Sequence, residues 1–265
     1  MTIPLEHSYA WCRRVARNRA RNFYYAFLLL DRPRHSAICA LYAFMRHCDD
    51  LADEPDRFGH PSADAALSTW RAQLDAALAG HCAGHPAWPA FHNTVRRYRI
   101  PAAYFHEMID GVASDLHRSR IHAFQELYRY CYQVASVVGL SVIHIFGFQS
   151  PEALPLAEKC GVAFQLTNIL RDVREDALRG RIYLPAEDLD SFGVAPEDLL
   201  NTVPSQALLR LMRFQADRAK SYYRESAPLV GLIDRSCRPS LWALIRIYAR
   251  LLERIEQSGF DVLRR

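Results

Sequence analysis

Gly161-Val162-Ala163-Phe164-Gln165-Leu166-Thr167-Asn168-Ile169-Leu170-Arg171-Asp172-Val173-Arg174-Glu175-Asp176 begins apolar and ends acidic. Its apolar residues recur at helical spacing, and Asp172 and Asp176 stand four residues apart, on one helical face. The stretch ending at Asp53 repeats the layout: Ala37 to Phe44 is apolar, and Arg46, Asp49, Asp50 and Asp53 follow. Like charges one turn apart weaken an isolated helix by about 0.2–0.5 kcal/mol per pair. A chain that carries this arrangement twice implies a cation. Carboxylates without a His or Cys set suit a hard ion, and Mg²⁺ is commonly held by one or two carboxylates plus substrate phosphates. Two such helices side by side predict an apolar tunnel with acids at one end, a shape for a substrate with a polyanionic head and a greasy tail. The competing reading of either run alone is a solvated helix end.

Outward from these helices, nearly every segment has helical periodicity. Helices are expected at about 6–20, 34–53, 63–79, 87–98, 102–118, 123–147, 152–176, 205–226 and 239–257, with breaks at prolines such as Pro33, Pro55, Pro101 and Pro239. Ser150-Pro151-Glu152 reads as an N-cap with proline at the first helical position. The segment from Tyr130 to Gly139 is apolar nearly all round and carries small residues, so it is expected to lie centrally. No linker or fixed-period repeat divides the chain, so residues 1–265 are expected to form one all-α domain.

Half of the 265 residues are apolar and 23% are charged, which excludes a disordered chain. The balance of 33 basic against 29 acidic residues gives +4, and Lys159 and Lys220 are the only lysines. Arginine forks match phosphate oxygens, which agrees with an anionic small substrate; nothing requires a nucleic-acid partner. Seven cysteines without a Cys-x-x-Cys pair argue against a disulfide framework and for a reducing compartment. The N-terminal residues lack the apolar core of a signal peptide, and Val134 to Phe148 is too short and interrupted to span a bilayer. The expectation is a cytoplasmic protein. Peripheral membrane contact and oligomeric state stay open.

Four segments carry a family resemblance: Asn22-Phe23-Tyr24-Tyr25-Ala26-Phe27; Tyr42-Ala43-Phe44-Met45-Arg46-His47-Cys48-Asp49-Asp50; Tyr130-Cys131-Tyr132 with Val138-Gly139; and Gln165 to Asp176 continued by Arg181-Ile182-Tyr183-Leu184-Pro185. In this order they resemble the squalene/phytoene synthase family, from about Tyr9 to Ile255. The resemblance implies an isoprenoid-synthase helical bundle around a central apolar tunnel. The reaction it implies is head-to-head condensation of two prenyl diphosphates. Asp49, Asp53, Asp172, Asp176 and Asn168, helped by Asp50 and Glu175, are then expected to hold Mg²⁺ against the diphosphate. Tyr42 and Tyr130 are expected to position the substrate or remove a proton, with Phe23, Phe27 and Phe164 on the tunnel wall. Arg21, Arg46, Arg171 and Tyr248 are expected to grip phosphate, and Gln165 to face the chamber. Tyr42 and Tyr130 read equally well as core aromatics. Tyr248 lies near the charged stripe of Arg246, Arg250, Glu253 and Arg254, which can equally be a solvated face.

Asn22 and Arg174 depart from the family pattern; Arg174 is expected to pair with an acid or face solvent. Phe27, one turn beyond Phe23, is expected to shorten the tunnel and favour farnesyl diphosphate, giving presqualene diphosphate. Cys39, small where some fifteen-carbon enzymes are bulky, points the other way. The alternative is phytoene formation from geranylgeranyl diphosphate. Further reduction to squalene with NADPH stays open, since the chain has no Gly-x-Gly-x-x-Gly fingerprint but this fold would not need one. A non-catalytic assembly factor is disfavoured by two intact acidic runs. A cyclising terpene synthase is disfavoured by the Tyr-Cys-Tyr and Arg-Ile-Tyr-Leu-Pro segments.

Overall fold

The computed structural model describes residues 3–20, 22–117 and 120–263. About three quarters of them are helical, and the only strand-like pairings among them are isolated bridges at Arg120–Ile182 and Phe148–Ile233. The helices are α1 (Leu5–Arg19), α2 (Asn22–Phe27), α3 (Arg32–Asp53), α4 (Ala63–Leu78), α5 (Trp88–Tyr98), α6 (Ala103–His117), α7 (Phe124–Cys131), α8 (Val137–Phe146), α9 (Ala153–Leu178), α10 (Ala186–Phe192), α11 (Gln206–Ser226), α12 (Leu229–Leu232) and α13 (Arg238–Gln257).

Each of the nine expected segments is helical, with informative differences. Pro33 does not break α3. It sits in the first turn, where a missing N–H is tolerated, and Asp31 caps the helix by accepting from Arg34 N at 2.9 Å. Ser150 sits ahead of α9: its Oγ accepts from Glu152 N at 3.3 Å, and the helix starts at Ala153 without a side-chain cap. The expected helix 123–147 is interrupted by a π turn at Tyr132–Ser136. Such turns recur at functional sites. The short α2 and α10 went unread because periodicity needs a longer window.

Two separate cores hold the acidic helices. Phe44 of α3 is fully buried among rings from α4, α5 and α6: Phe91 at 4.7 Å between centroids, Phe105 at 5.5 Å and Trp70 at 5.6 Å. α9 instead seats Leu166, Ile169 and Leu170 in a mainly aliphatic cluster shared with Leu208, Leu211 and Met212 of α11. Small residues bring the centre together. A Cβ on Gly161 of α9 would meet the Ser136 backbone at 2.5 Å, and one on Gly111 of α6 would meet the Gln133 side chain at 2.8 Å. The π turn is thereby clamped between α6 and α9, and Ser136 Oγ donates to Glu158 O at 2.7 Å. All seven cysteines are free thiols, six of them buried.

Candidate active site

Between α3 and α9 runs a cavity of about 610 Å³. Tyr42, Met45, Arg46, Asp49, Ala52 and Asp53 line it from α3, a stripe that follows from i, i+3, i+4 and i+7 spacing. Ala157, Gly161, Phe164, Gln165, Asn168 and Asp172 line it from α9 by the same rule. Phe23 and Phe27 of α2 and Tyr248 of α13 are on the wall, as is Tyr130, where α7 meets the π turn. The aromatics expected on a tunnel wall are therefore together in one cavity.

Three of them stack: Phe23 on Tyr248 at 5.1 Å and Tyr248 on Phe164 at 4.0 Å, with planes within 23° of parallel. Tyr248 is part of this stack rather than of a solvated stripe. Burial pushes its phenol pKa up, offset in part by the Asn168 side chain and the Arg171 charge. Phe27 is buried and edge-on to Tyr42, with centroids 6.4 Å apart.

The acids stand at the ends of their helices. Asp53 closes α3 just before Pro55, and Asp172 and Asp176 occupy the last two turns of α9. Carboxylates at a helix C-terminus add to the negative end of the macrodipole. Burial, with Asp53, Asp50 and Asp115 nearby, pushes the Asp49 carboxyl up to about 7 although Arg46 opposes it. Burial, Asp172 and Glu175 push Asp176 up to about 7 as well. Asn168 Oδ1 is buried with no partner, while its Nδ2 donates to Gln165 Oε1 at 3.3 Å. Acids crowded among like charges beside an orphaned oxygen fit a hard cation. Among the described residues no three His, Cys, Asp or Glu side chains converge closely enough to hold an ion unaided. The donor set therefore suits Mg²⁺ shared between one or two carboxylates and phosphate oxygens.

Several expected residues lie elsewhere. Asp50 is turned away from this cavity: it accepts from Arg19 Nη2 at 3.0 Å and from Arg46, and its carboxylate lines a separate 310 Å³ recess. One residue beyond Asp49 is 100° further round the helix, which is enough to change walls. Arg171 is clamped bidentately on Asp172 (Nε–Oδ1 2.7 Å, Nη2–Oδ2 2.5 Å) and is off the cavity wall. Glu175 faces outward to Arg179 at 2.7 Å, and Asp176 is also off the wall. Among the described residues Arg174 pairs with no acid; its Nε donates to Leu200 O at 3.5 Å in an exposed hydrogen bond. Cys39 is fully buried in an alanine-rich seam of α1, α3 and α5 and does not touch the cavity, so it has no part in its length. Arg21 lies outside the described residues.

Several wall residues escaped the sequence reading, among them the charged Asp115, Arg179 and Arg181. Asp115 of α6 accepts from Tyr130 Oη at 2.8 Å, and the Tyr130 ring stacks on Tyr183 at 4.9 Å, 16° from parallel. Burial and the Asp115 charge hold the Tyr130 phenol pKa far above its ordinary value. A signal existed: Met108, Val112 and Asp115 fall at i, i+4 and i+7, a lone acid on an apolar face. Arg181 was seen only as part of a motif. Gly180, at φ 77°, ends α9, and Arg181 N donates back to Asp176 O at 2.9 Å, which turns the Arg181 side chain onto the wall near Asp53 and Asp115.

With this geometry in view, similarity to known proteins is specific. A model of the squalene/phytoene synthase family matches residues 16–265. The chain belongs to that family. Family members are prenyltransferases that act on prenyl diphosphates. A 15-cis-phytoene synthase of Synechococcus elongatus is 35% identical over 273 residues, covering 98% of this chain and 88% of that protein. A dehydrosqualene synthase solved with a ligand superposes with a TM-score of 0.90 at 32% identity, covering 97% of this chain and 88% of the other. Squalene synthase HpnC from Alicyclobacillus acidocaldarius gives 0.89 at 28% identity, covering 97% of each. The expected all-α isoprenoid-synthase fold is thus the fold observed. No helix of the described residues is long and apolar enough to cross a membrane.

Proposed function

We propose that the chain condenses two molecules of farnesyl diphosphate head to head, giving presqualene diphosphate. The observation that carries the condensation is the pair of acidic helix ends facing one apolar cavity from opposite sides. Asp49 and Asp53 from one wall, with Asp172 and Asn168 from the other and Asp176 beside them, are the residues that would hold Mg²⁺. When bound, the ion supplies Lewis-acid neutralisation of charge on the departing diphosphate. Arg46 and Arg181 add fixed positive charge at the same end. The apolar wall excludes water from the allylic cation that ionisation leaves, and the Phe23–Tyr248–Phe164 stack offers ring faces to it. Tyr130, held by Asp115 and Tyr183 and far from ionising by itself, presents a fixed hydroxyl to the reacting carbons.

The fifteen-carbon chain is favoured by Phe27, a bulky buried ring on the cavity wall, edge-on to Tyr42. Geranylgeranyl diphosphate, giving phytoene, is the second reading, favoured by the name of the Synechococcus relative. Incubating purified protein and Mg²⁺ with each prenyl diphosphate, with and without NADPH, and identifying the extracted lipid separates them. The farnesyl reading expects presqualene diphosphate, or squalene when NADPH is used. Phytoene alone would overturn it in favour of the longer substrate, and binding without turnover would return the chain to a scaffold role.

A further inference from the structure

Nine large apolar side chains are exposed among the described residues, and four of them lie close along the chain to the two ends of one hydrogen bond. Ser240 Oγ donates to Ala26 O at 2.9 Å, tying the start of α13 to α2. Within three residues of that bond stand Tyr25, Leu28, Leu29 and Trp242, exposed by 70%, 55%, 50% and 57%. Large apolar groups scattered singly need no explanation, but a cluster does. The same short segments also point inward: Phe27 and Leu241, the sequence neighbours of Leu28 and Trp242, line the large cavity. Leu241 lies seven residues before Tyr248 on α13, about 10 Å along the axis, and Tyr248 contacts Asn168 near the acids. The exposed residues are therefore chain neighbours of the cavity wall at its end remote from the charged groups.

The surrounding charge is one-sided. Arg246 and Arg250 follow Trp242 at i+4 and i+8 on the same stripe of α13, and Arg32 and Arg235 are exposed at the neighbouring helix starts. None of these four has a carboxylate within ion-pair distance among the described residues, whereas Asp31 and Asp234, the nearby acids, are both engaged by Arg34 at 2.8 and 2.9 Å. A symmetric contact with a second copy would set this arginine-rimmed patch against itself. An anionic bilayer meets both features at once: tryptophan and tyrosine favour the headgroup level, leucines enter the acyl boundary, and arginines meet anionic lipid.

We propose that the face formed by Tyr25, Leu28, Leu29 and Trp242 docks this protein on an anionic lipid bilayer. There the apolar end of the cavity lies against the acyl chains and gives a hydrocarbon-tailed product a path out that avoids water. The exit route rests on the prenyl-condensation reading; the docking face does not.

The test is co-sedimentation of the full chain, without substrate, with phosphatidylcholine vesicles containing or lacking about 30% phosphatidylglycerol. The wild type is expected to partition onto the anionic vesicles, less at high salt. A Leu28→Ser/Trp242→Ser variant is expected to lose partitioning by about tenfold or more. Val203→Ser, which trims another exposed apolar residue, should change nothing. Both altered positions are exposed, so a matching thermal melt establishes that the fold is intact. Equal partitioning of variant and wild type, no wild-type binding, or a concentration-dependent dimer lost in the variant without vesicle binding would each overturn the assignment. Since no turnover is read, a protein that docks but condenses nothing would sink the functional reading and leave the docking face standing.

Discussion

The two acidic runs have nearly the same spacing and different surroundings. On α3 the run is divided: Asp49 and Asp53 face the cavity, while Asp50 is turned to the opposite wall and fixed by Arg19 and Arg46. On α9 one carboxylate is bridled by its own neighbour, Arg171, and the next turns, Glu175 and Asp176, move off the wall. Asp49 and Asp176 nonetheless share a carboxyl pushed up to about 7 by burial among like charges. Spacing puts acids on a face. Which acid reaches the cavity follows from its place round the helix and from its basic partner. Arg19 and Arg46 hold Asp50 away, whereas Asp172 reaches the wall although Arg171 clamps it.

The largest expected contrast is between adjacent residues. Asp49→Asn should lower kcat by on the order of 10²–10³-fold, as loss of one charge-stabilising group does. Asp50→Asn, acting only through the position of Arg46, should cost about tenfold or less. Steady-state rates of diphosphate release decide this, and equal losses would place both acids in the reaction.

The two helices also differ in how they are anchored. Phe44→Ala opens a hole among the rings of Trp70, Trp88, Phe91 and Phe105 and should destabilise the fold by about 3–5 kcal/mol. Leu166→Ala, in the aliphatic core that holds α9, should cost about 2–5 kcal/mol. Urea unfolding measures both; a cost below 1 kcal/mol for Phe44→Ala would mean that α3 is held by something other than its aromatic anchor.

A smaller effect follows from the raised carboxyls. In metal-free protein Asp49 and Asp176 have folded pKa values of about 7 against an ordinary 3.8. The folded state binds more protons than the unfolded one between these values, so stability contributed by these groups falls as pH rises from about 4 through 7. Mg²⁺ competes with those protons. Its stabilising shift in Tm should therefore be larger at pH 8 than at pH 5.5. Equal shifts at both pH values would assign Mg²⁺ to other groups.

Most of the fold was legible because long amphipathic helices write their period into the sequence, and prolines mark their ends. The acids were legible for the same reason, whereas the wall aromatics and Gln165 were expected from the family resemblance. Side-chain direction was harder. Asp50 carries the same charge as Asp49, and the contact with Arg19 that turns it away spans 31 residues. Asp115 is the one acid of α6 on the cavity-facing stripe, and only the arrival of Tyr130 gives it a role. Cys39 shows the converse error: a position on the right helix that faces a different seam.

A double-mutant cycle tests directly whether α3 and α9 act on one diphosphate. Asp49→Asn, Asp172→Asn and the double variant are compared by Mg²⁺-dependent diphosphate release from farnesyl diphosphate. If both acids serve one cluster, the double variant should be about as slow as the slower single variant, because residues acting as a unit are far from additive. Losses that multiply would mean two independent sites, and would contradict the facing-helix arrangement.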